Sequence, residues 1–404
     1  MDNITENNRK KALQLFFAVA AFSAIGLGLS DMVFSNYFKE AYNVTAFQRG
    51  LIEFPREIPG IICVFFVSAL AFLGDIRISI IAQALSTIGL VVLGFITPPF
   101  AIMLIFLFIN SLGMHIFMPL QDSICMGLQG DNNVGAGLSK LKSFGLVFSV
   151  IAGIIVFFGF RSGIFSFTGR IVSIFLIAAA FFCITLALLI RIDKLTRKGH
   201  AARQQKMRLV FNRKYNLYYL LSVCNGAQKQ IRIVYGPWVL IDLLAKRADT
   251  LAILIIVSSL ASIFFIRFVG WMLDKFGNKR SILIQALSFI TVYVAYALLS
   301  YGFHSGSLAK AGIPAAITFV VFALDRMTQN FTMVNAVYLR SIAEKPADIT
   351  PSLTVGLGLD HIVAIICAFI GGVVWSRFGP HYVFIFTAAL SIVNIIVSYK
   401  IKEV

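Results

Sequence analysis

Charge is thin in this chain, and acidic charge thinnest. Among 404 residues there are 18 Asp and Glu, and charged residues make up only 13% of the total. A soluble globular protein carries about a quarter charged residues. With 59% hydrophobic residues, a soluble domain of this length has no interior large enough to hide the excess. The solvent for most of these side chains is therefore lipid. Cysteine adds no chemistry: Cys63, Cys125, Cys183, Cys224 and Cys367 lie in or beside apolar runs, without metal-ligand or redox spacing. They read as small apolar residues. The histidines, His115, His200, His304, His361 and His381, are scattered through separate segments. A membrane-embedded enzyme needs a clustered nucleophile or metal constellation, so no enzyme activity, metal or cofactor is expected. The opening MDNITENNRKK has no cleavage pattern, and the first apolar run is expected to stay as a helix.

Uninterrupted apolar length is what the chain has in abundance. A spanning helix needs about 20 mainly apolar residues. Such runs lie near 12–36, 47–73, 78–97, 100–122, 142–160 and 171–190, then near 216–242, 249–272, 281–302, 313–338, 352–375 and 381–399. An open sheet edge cannot sit in lipid. The expected fold is all-α, with twelve transmembrane helices in two six-helix bundles, 1–190 and 216–404. Between them lies a polar linker, 191–215, whose nine basic residues face the single acid Asp193. Placing that linker in the cytoplasm puts both termini inside. Most of the 35 basic residues then fall on the inner side, as the positive-inside rule requires. The net charge of +17 is thus topological, and nucleic acid is not an expected partner. The expected partners are the lipid bilayer and a small molecule, with the chain a monomer. Short loops point to a bacterial plasma membrane.

The two sets of runs align without gaps through their first three members, so that Asp75 falls on Asp274 and Asp31 on Gln230. Duplication of this kind is a transporter signature. Residues Gly270-Trp-Met-Leu-Asp274-Lys275-Phe-Gly277-Asn-Lys279-Arg280 resemble the loop motif of the major facilitator superfamily, G-x-x-x-D-(R/K)-x-G-x-(R/K)-(R/K). The first-half copy, Ala71-Phe-Leu-Gly74-Asp75-Ile-Arg77, keeps the acid but loses the second glycine and the basic pair. That resemblance implies a cytoplasmic gate latch involving Asp274, Arg280 and Asp75, and a cavity lined by the first, fourth, seventh and tenth helices. The family's proline-containing antiporter motif is missing from the fifth run, which reads Ser143-Phe-Gly145-Leu-Val-Phe-Ser149-Val-Ile-Ala-Gly153.

Ionisable residues at membrane depth are costly and mark function or pairing. The seventh run carries Asn225, Gln228, Lys229, Arg232 and Tyr235, which helical spacing places on one broad face. The tenth carries Asp325 and Arg326, and the first contributes Asp31. Together these eight are the candidate substrate-binding residues. Lys229, Arg232 and Arg326 outnumber Asp325, so the expected substrate bears an anionic group or is a zwitterion. The second run opens Glu53-Phe54-Pro55-Arg56-Glu57, an internal salt bridge or an outer gate. Asp31, Glu53, Glu57 and Asp360 are candidate proton carriers. Asp360 and His361, with Lys140 and Lys142, fall towards the cytoplasmic end by the assigned boundaries, which makes His361 and Lys142 candidate inner-gate partners. Arg56 is a candidate outer-gate residue. His115 and Asp122 share a face of the fourth run, and His115 is either a packed histidine or part of a proton relay.

The expected function is secondary transport of a small organic anion or zwitterion by alternating access, coupled to protons. The alternatives are a polyspecific exporter of amphipathic compounds and an uncoupled carrier.

Overall fold

The computed structural model describes residues 5–129, 134–196 and 212–401. The described residues are helical throughout, without a strand. The helices are α1 (Glu6–Asp31), α2 (Phe34–Tyr42), α3 (Ala46–Ala69), α4 (Asp75–Phe95), α5 (Phe100–Gln129), α6 (Val134–Arg161), α7 (Ser173–Thr196), α8 (Asn216–Trp238), α9 (Ala248–Ser305), α10 (Ile313–Thr328), α11 (Thr332–Ile342), α12 (Pro346–Arg377) and α13 (Pro380–Lys400). Residues 197–211 of the basic linker, with His200, lie outside the described residues.

Eight stretches among the described residues are long and apolar enough to cross a membrane. The protein is an all-α, multi-pass membrane protein. The runs expected as twelve separate helices are divided differently. The first covers α1 and α2, and the tenth is broken into α10 and α11 by a 3₁₀ turn at Gln329–Phe331. Runs eight and nine are joined in α9, whose one non-helical residue is Gly277 at φ 70°. Glycine adopts that conformation without a Cβ penalty, which is the turning role its motif position anticipates. Helices α3 and α8 are not among the eight stretches: α3 carries Arg49, Glu53, Arg56 and Glu57, and α8 carries Lys229 and Arg232 together with Asn225, Gln228 and Gln230. Those charges build the site described below.

Packing divides the chain into two compact units. The first takes Met1–Tyr42 with Ile58–Lys206, and the second takes Asn43–Glu57 with Met207–Val404. In the first, Ala12, Phe16 and Val19 of α1 meet Ile76 and Ala82 of α4, Leu112 and Ile116 of α5 and Leu189 of α7. Helices α4 and α5 approach closely at small residues, with Asn110 Nδ2 donating to the Ser86 carbonyl at 3.0 Å. In membranes such small-residue contacts and interhelical hydrogen bonds replace the hydrophobic drive that lipid removes. Large apolar side chains such as Phe264 and Leu298 stay exposed, as expected of lipid-facing positions.

In the second unit α8 packs on α12, and α9 on α10 and α13. The opening part of α3 belongs here. It begins with a reciprocal cap in which Gln48 N–H donates to Thr45 Oγ1 at 3.2 Å and Thr45 N–H donates to Gln48 Oε1 at 2.9 Å.

Candidate functional site

The site grows from one glycine on α8. A Cβ added at Gly226 would meet the carbonyl oxygen of Asp360 at 2.6 Å and its Cα at 2.9 Å. Without a side chain there, α12 lies directly against α8. One turn on from Gly226, Lys229 reaches the Asp360 carboxylate as an ion pair. Asn225, one turn before Lys229, donates its Nδ2 to Asp360 Oδ1 at 3.2 Å. The pair is not sealed: the Lys229 side chain is 20% exposed and that of Asp360 10%. Further along α8, Tyr235 donates to the Ala368 carbonyl at 2.5 Å and stacks on Trp375 of α12.

The opening part of α3 supplies a second charged group. Gly50 sits against the Ala368 backbone, which brings the next turns of α3 to α8 and α12. Glu53, buried, accepts from Arg49, from Arg56 Nη1 at 2.9 Å and from Gln230 Nε2 at 3.0 Å. Arg49 is fully buried, and the Glu53 carboxylate is its ion-pair partner there. One turn later, Glu57 Oε2 lies 2.7 Å from His361 Nδ1, both side chains nearly buried.

The opposite edge of α8 is polar as well. The Gln228 side chain donates to Ser391 Oγ at 2.8 Å, and its backbone carbonyl accepts from Tyr293 at 3.0 Å. Arg232 is 3% exposed, yet its only hydrogen bond is a long one, from Nη1 to Thr328 Oγ1 at 3.5 Å. Its Nε and Nη2 have no partner among the described residues. Asp325 is buried too, and among the described residues its Oδ1 has no hydrogen-bond partner, although the carboxyl shares a hydrogen bond with Tyr293. The charges of Arg232 and Arg326 both act on Asp325. Arg326 is half-buried and lies over the Phe322 ring.

These contacts bear on three expectations. Asp360 and His361 pair with Lys229 and Glu57, and Lys142 pairs with Asp122 at 2.7 Å. The assigned helix ends misplaced them, because α12 begins at Pro346 and not at 352, so Asp360 lies farther into the helix. Lys229 is no surplus cation, since Asp360 neutralises it. His115 is tied to its own helix, Nδ1 lying 2.9 Å from the Ser111 carbonyl, while Asp122 serves Lys142.

Four candidates remain, Asp31 and Asp75 in the first unit and Asp274 and Arg280 in the second. Asp31 is exposed at the end of α1 in the first unit. Asp75 accepts from Ser123 of α5 at 2.5 Å. Asp274 and Arg280 are exposed and make no hydrogen bond or ion pair among the described residues. Two partners escaped notice in the sequence, Arg49 and Gln230. Arg49 had a signal, since it stands one helical turn before Glu53 as Arg56 stands one turn after. Gln230 had none, because its partner is on another helix.

Residues 16–350 match the profile of a family described as Major Facilitator Superfamily. No curated protein matches the sequence significantly. Among solved structures, a mutant of the nucleoside transporter NupG superposes with a TM-score of 0.77 at 14% identity, over 97% of this chain and 100% of that one. A POT family transporter in complex with 5-aminolevulinic acid gives 0.69 at 12% identity, over 96% and 95%. A D-xylose-proton symporter gives 0.64 at 15%, over 97% of both. At these identities the likeness is one of fold.

Proposed function

The chain belongs to the Major Facilitator Superfamily of transporters, and from that premise we propose that it carries a small organic solute with an anionic group, coupled to protons, by alternating access. Twelve spanning segments with both termini in the cytoplasm make up the architecture of this reading. Its activity is transport and not the chemical conversion of a substrate.

The carrying observation is Arg232. A guanidinium that is 3% exposed and keeps Nε and Nη2 unpartnered holds one edge of its donor fork unused. Two parallel N–H groups on that edge match the two oxygens of a carboxylate or phosphate. A buried cation left half-satisfied is expensive, and an anionic group on the solute would settle it. Lys229, partly exposed and tethered to Asp360, is a second point of attachment that can exchange one carboxylate for another. Asn225, Gln228 and Tyr235 lie on the same helix, with Asp325 and Arg326 across on α10. Two fold neighbours fit this reading by their printed names: one holds 5-aminolevulinic acid, a zwitterion, and one is a proton symporter.

The test is a thermal-shift screen of the detergent-purified protein against small carboxylates, phosphates, zwitterions and lipophilic cations. A ligand at a hundred times its dissociation constant adds about 2.7 kcal/mol to native stability. Stabilisation by an anion, lost in Arg232→Gln and weakened in Lys229→Gln, is the expected result. Stabilisation by lipophilic cations alone sinks the anionic reading in favour of amphipathic export.

A further inference from the structure

One cation of the second unit faces outward at membrane depth. Arg267 of α9 is exposed and makes no hydrogen bond or ion pair among the described residues. The part of α9 before Gly277 is about 43 Å long at 1.5 Å per residue, against a hydrocarbon core of about 30 Å. Arg267 stands about 15 Å from the Gly277 end. With the segment centred, its Cα falls inside the hydrocarbon edge, Trp271 falls near that edge and Lys275 beyond it. A charge facing lipid at such a depth is costly unless it meets an anion or reaches the interface.

The neighbouring turns supply both halves of a lipid site. Helical spacing puts Arg267, Trp271 and Lys275 on one face, each one turn from the next. Trp271 is 49% exposed, at the level where aromatic side chains sit between hydrocarbon and headgroups. Lys275 folds back towards it, Nζ lying 4.7 Å from the centre of the Trp271 ring and 5.4 Å from that of Phe276. Two cations therefore flank one indole. Residues 264–280 carry four cations, Arg267, Lys275, Lys279 and Arg280, against the one acid Asp274. Asp274 shares the face of Arg267 but stands two turns nearer the Gly277 end. On the hydrocarbon side of Arg267 lies a groove of about 380 Å³, lined by Ala261, Phe264, Phe265 and Phe268 of α9 and Met327 of α10. Its lining is apolar throughout, and Phe264 and Phe268 stay exposed beside it.

We propose that this face of α9 binds one anionic phospholipid, an acyl chain lying in the groove and the headgroup phosphate held between Arg267 and Lys275. The guanidinium presents parallel N–H donors to two phosphate oxygens, and the ammonium a point charge. A zwitterionic headgroup brings its own cation to a face that already carries an excess of them, so the site selects for net negative charge. The site belongs to the lipid-facing side of the second unit and does not depend on the solute reading above, whose carrier Arg232 is buried on α8.

The test uses the full chain, purified in detergent and stripped of lipid, then titrated in mixed micelles with phosphatidylglycerol or phosphatidylcholine. Bound lipid is counted by native mass spectrometry. The wild-type protein is expected to hold one phosphatidylglycerol in preference to phosphatidylcholine. Arg267→Gln and Lys275→Gln are each expected to weaken that binding about fivefold, the factor carried by one cation near the membrane surface. Ala261→Phe, which fills the groove, weakens the binding of both lipids. Lys310→Gln, at an exposed cation elsewhere in the second unit, binds as wild type. Should Ala261→Phe fail to fold, the two charge variants decide, since both alter exposed side chains. Equal binding of the two lipids by the wild type overturns the proposal. So does a phosphatidylglycerol preference that survives unchanged in both charge variants, which reduces it to general surface charge. A wild-type dimer that Ala261→Phe disperses, with no lipid selectivity, assigns the groove to a second copy of the chain and overturns it as well.

Discussion

The first unit packs α1, α4, α5 and α7 around Phe16, Leu112 and Ile116, and its ion pairs, Arg77 with Asp193 at 3.1 Å and Lys142 with Asp122, stand at partly exposed positions. The second unit draws its charges inward. Arg49, Glu53, Arg232, Asp325 and Asp360 are all buried, Glu57 nearly so, and Lys229 is partly exposed. Both units are built of helices with apolar interiors, yet the buried charged residues among those described all belong to the second. Pairs at the rim contribute little because water and salt screen them. Pairs in the interior have no such alternative, so losing one partner leaves the other stranded. The residues on which the proposed anion binding rests therefore belong to the second unit.

The largest effect that would sharpen this contrast is at Glu53. Glu53→Ala leaves Arg49 and Arg56 without their acceptor and is expected to cost about 3–5 kcal/mol, read as a fall in unfolding temperature or loss of the folded peak in detergent. Arg77→Gln in the first unit removes a pair whose Arg is 38% exposed, and is expected to cost about 0–1 kcal/mol. Equal losses from the two would break the comparison. Next come the glycines. Gly226→Ala drives a methyl into the Asp360 backbone and is expected to cost about 1–3 kcal/mol, together with affinity for the stabilising anion, since it moves Asp360 from Lys229. Gly145→Ala on α6 meets nothing within 4 Å and is expected to be neutral or to stabilise by up to about 1 kcal/mol.

The smallest effect lies outside the spanning segments. Lys214 pairs with Glu344 at 2.6 Å, which raises the lysine above its ordinary range. A raised lysine contributes stability that is present below its unfolded value and lost as pH climbs through its folded one, so any effect is confined to the alkaline end. Glu344→Gln is expected to lower the titration of Lys214, followed by NMR of the methylated amine, with no change in unfolding temperature at neutral pH. A measurable loss there would mean that exposed pairs matter as much as buried ones.

Much of the fold was legible. Long apolar runs can only be helices in lipid, and Gly277 announced its turn by its place between two runs. The break at Gln329–Phe331 and the merging across α9 were not legible, since hydropathy reports burial in lipid and not backbone angles. In the site, the triad Arg49, Glu53 and Arg56 is a local pattern at helical spacing. Glu57 with His361 and Lys229 with Asp360 are not local, for each joins residues far apart in the chain, and counting charges helix by helix made Lys229 look surplus.

The sequence alone determined the solvent, the helical class and the family, because each depends on composition and on short-range spacing: lipid admits few backbone solutions, and a glycine–acid–basic motif marks its turn locally. Only the tertiary structure decided which charges cancel. Pairing depends on which helices touch, and that turned on small features, a glycine at 226 that lets α12 close on α8 and a glycine at 50 that seats α3 beside them. The unused edge of Arg232 is likewise invisible until its neighbours are in place.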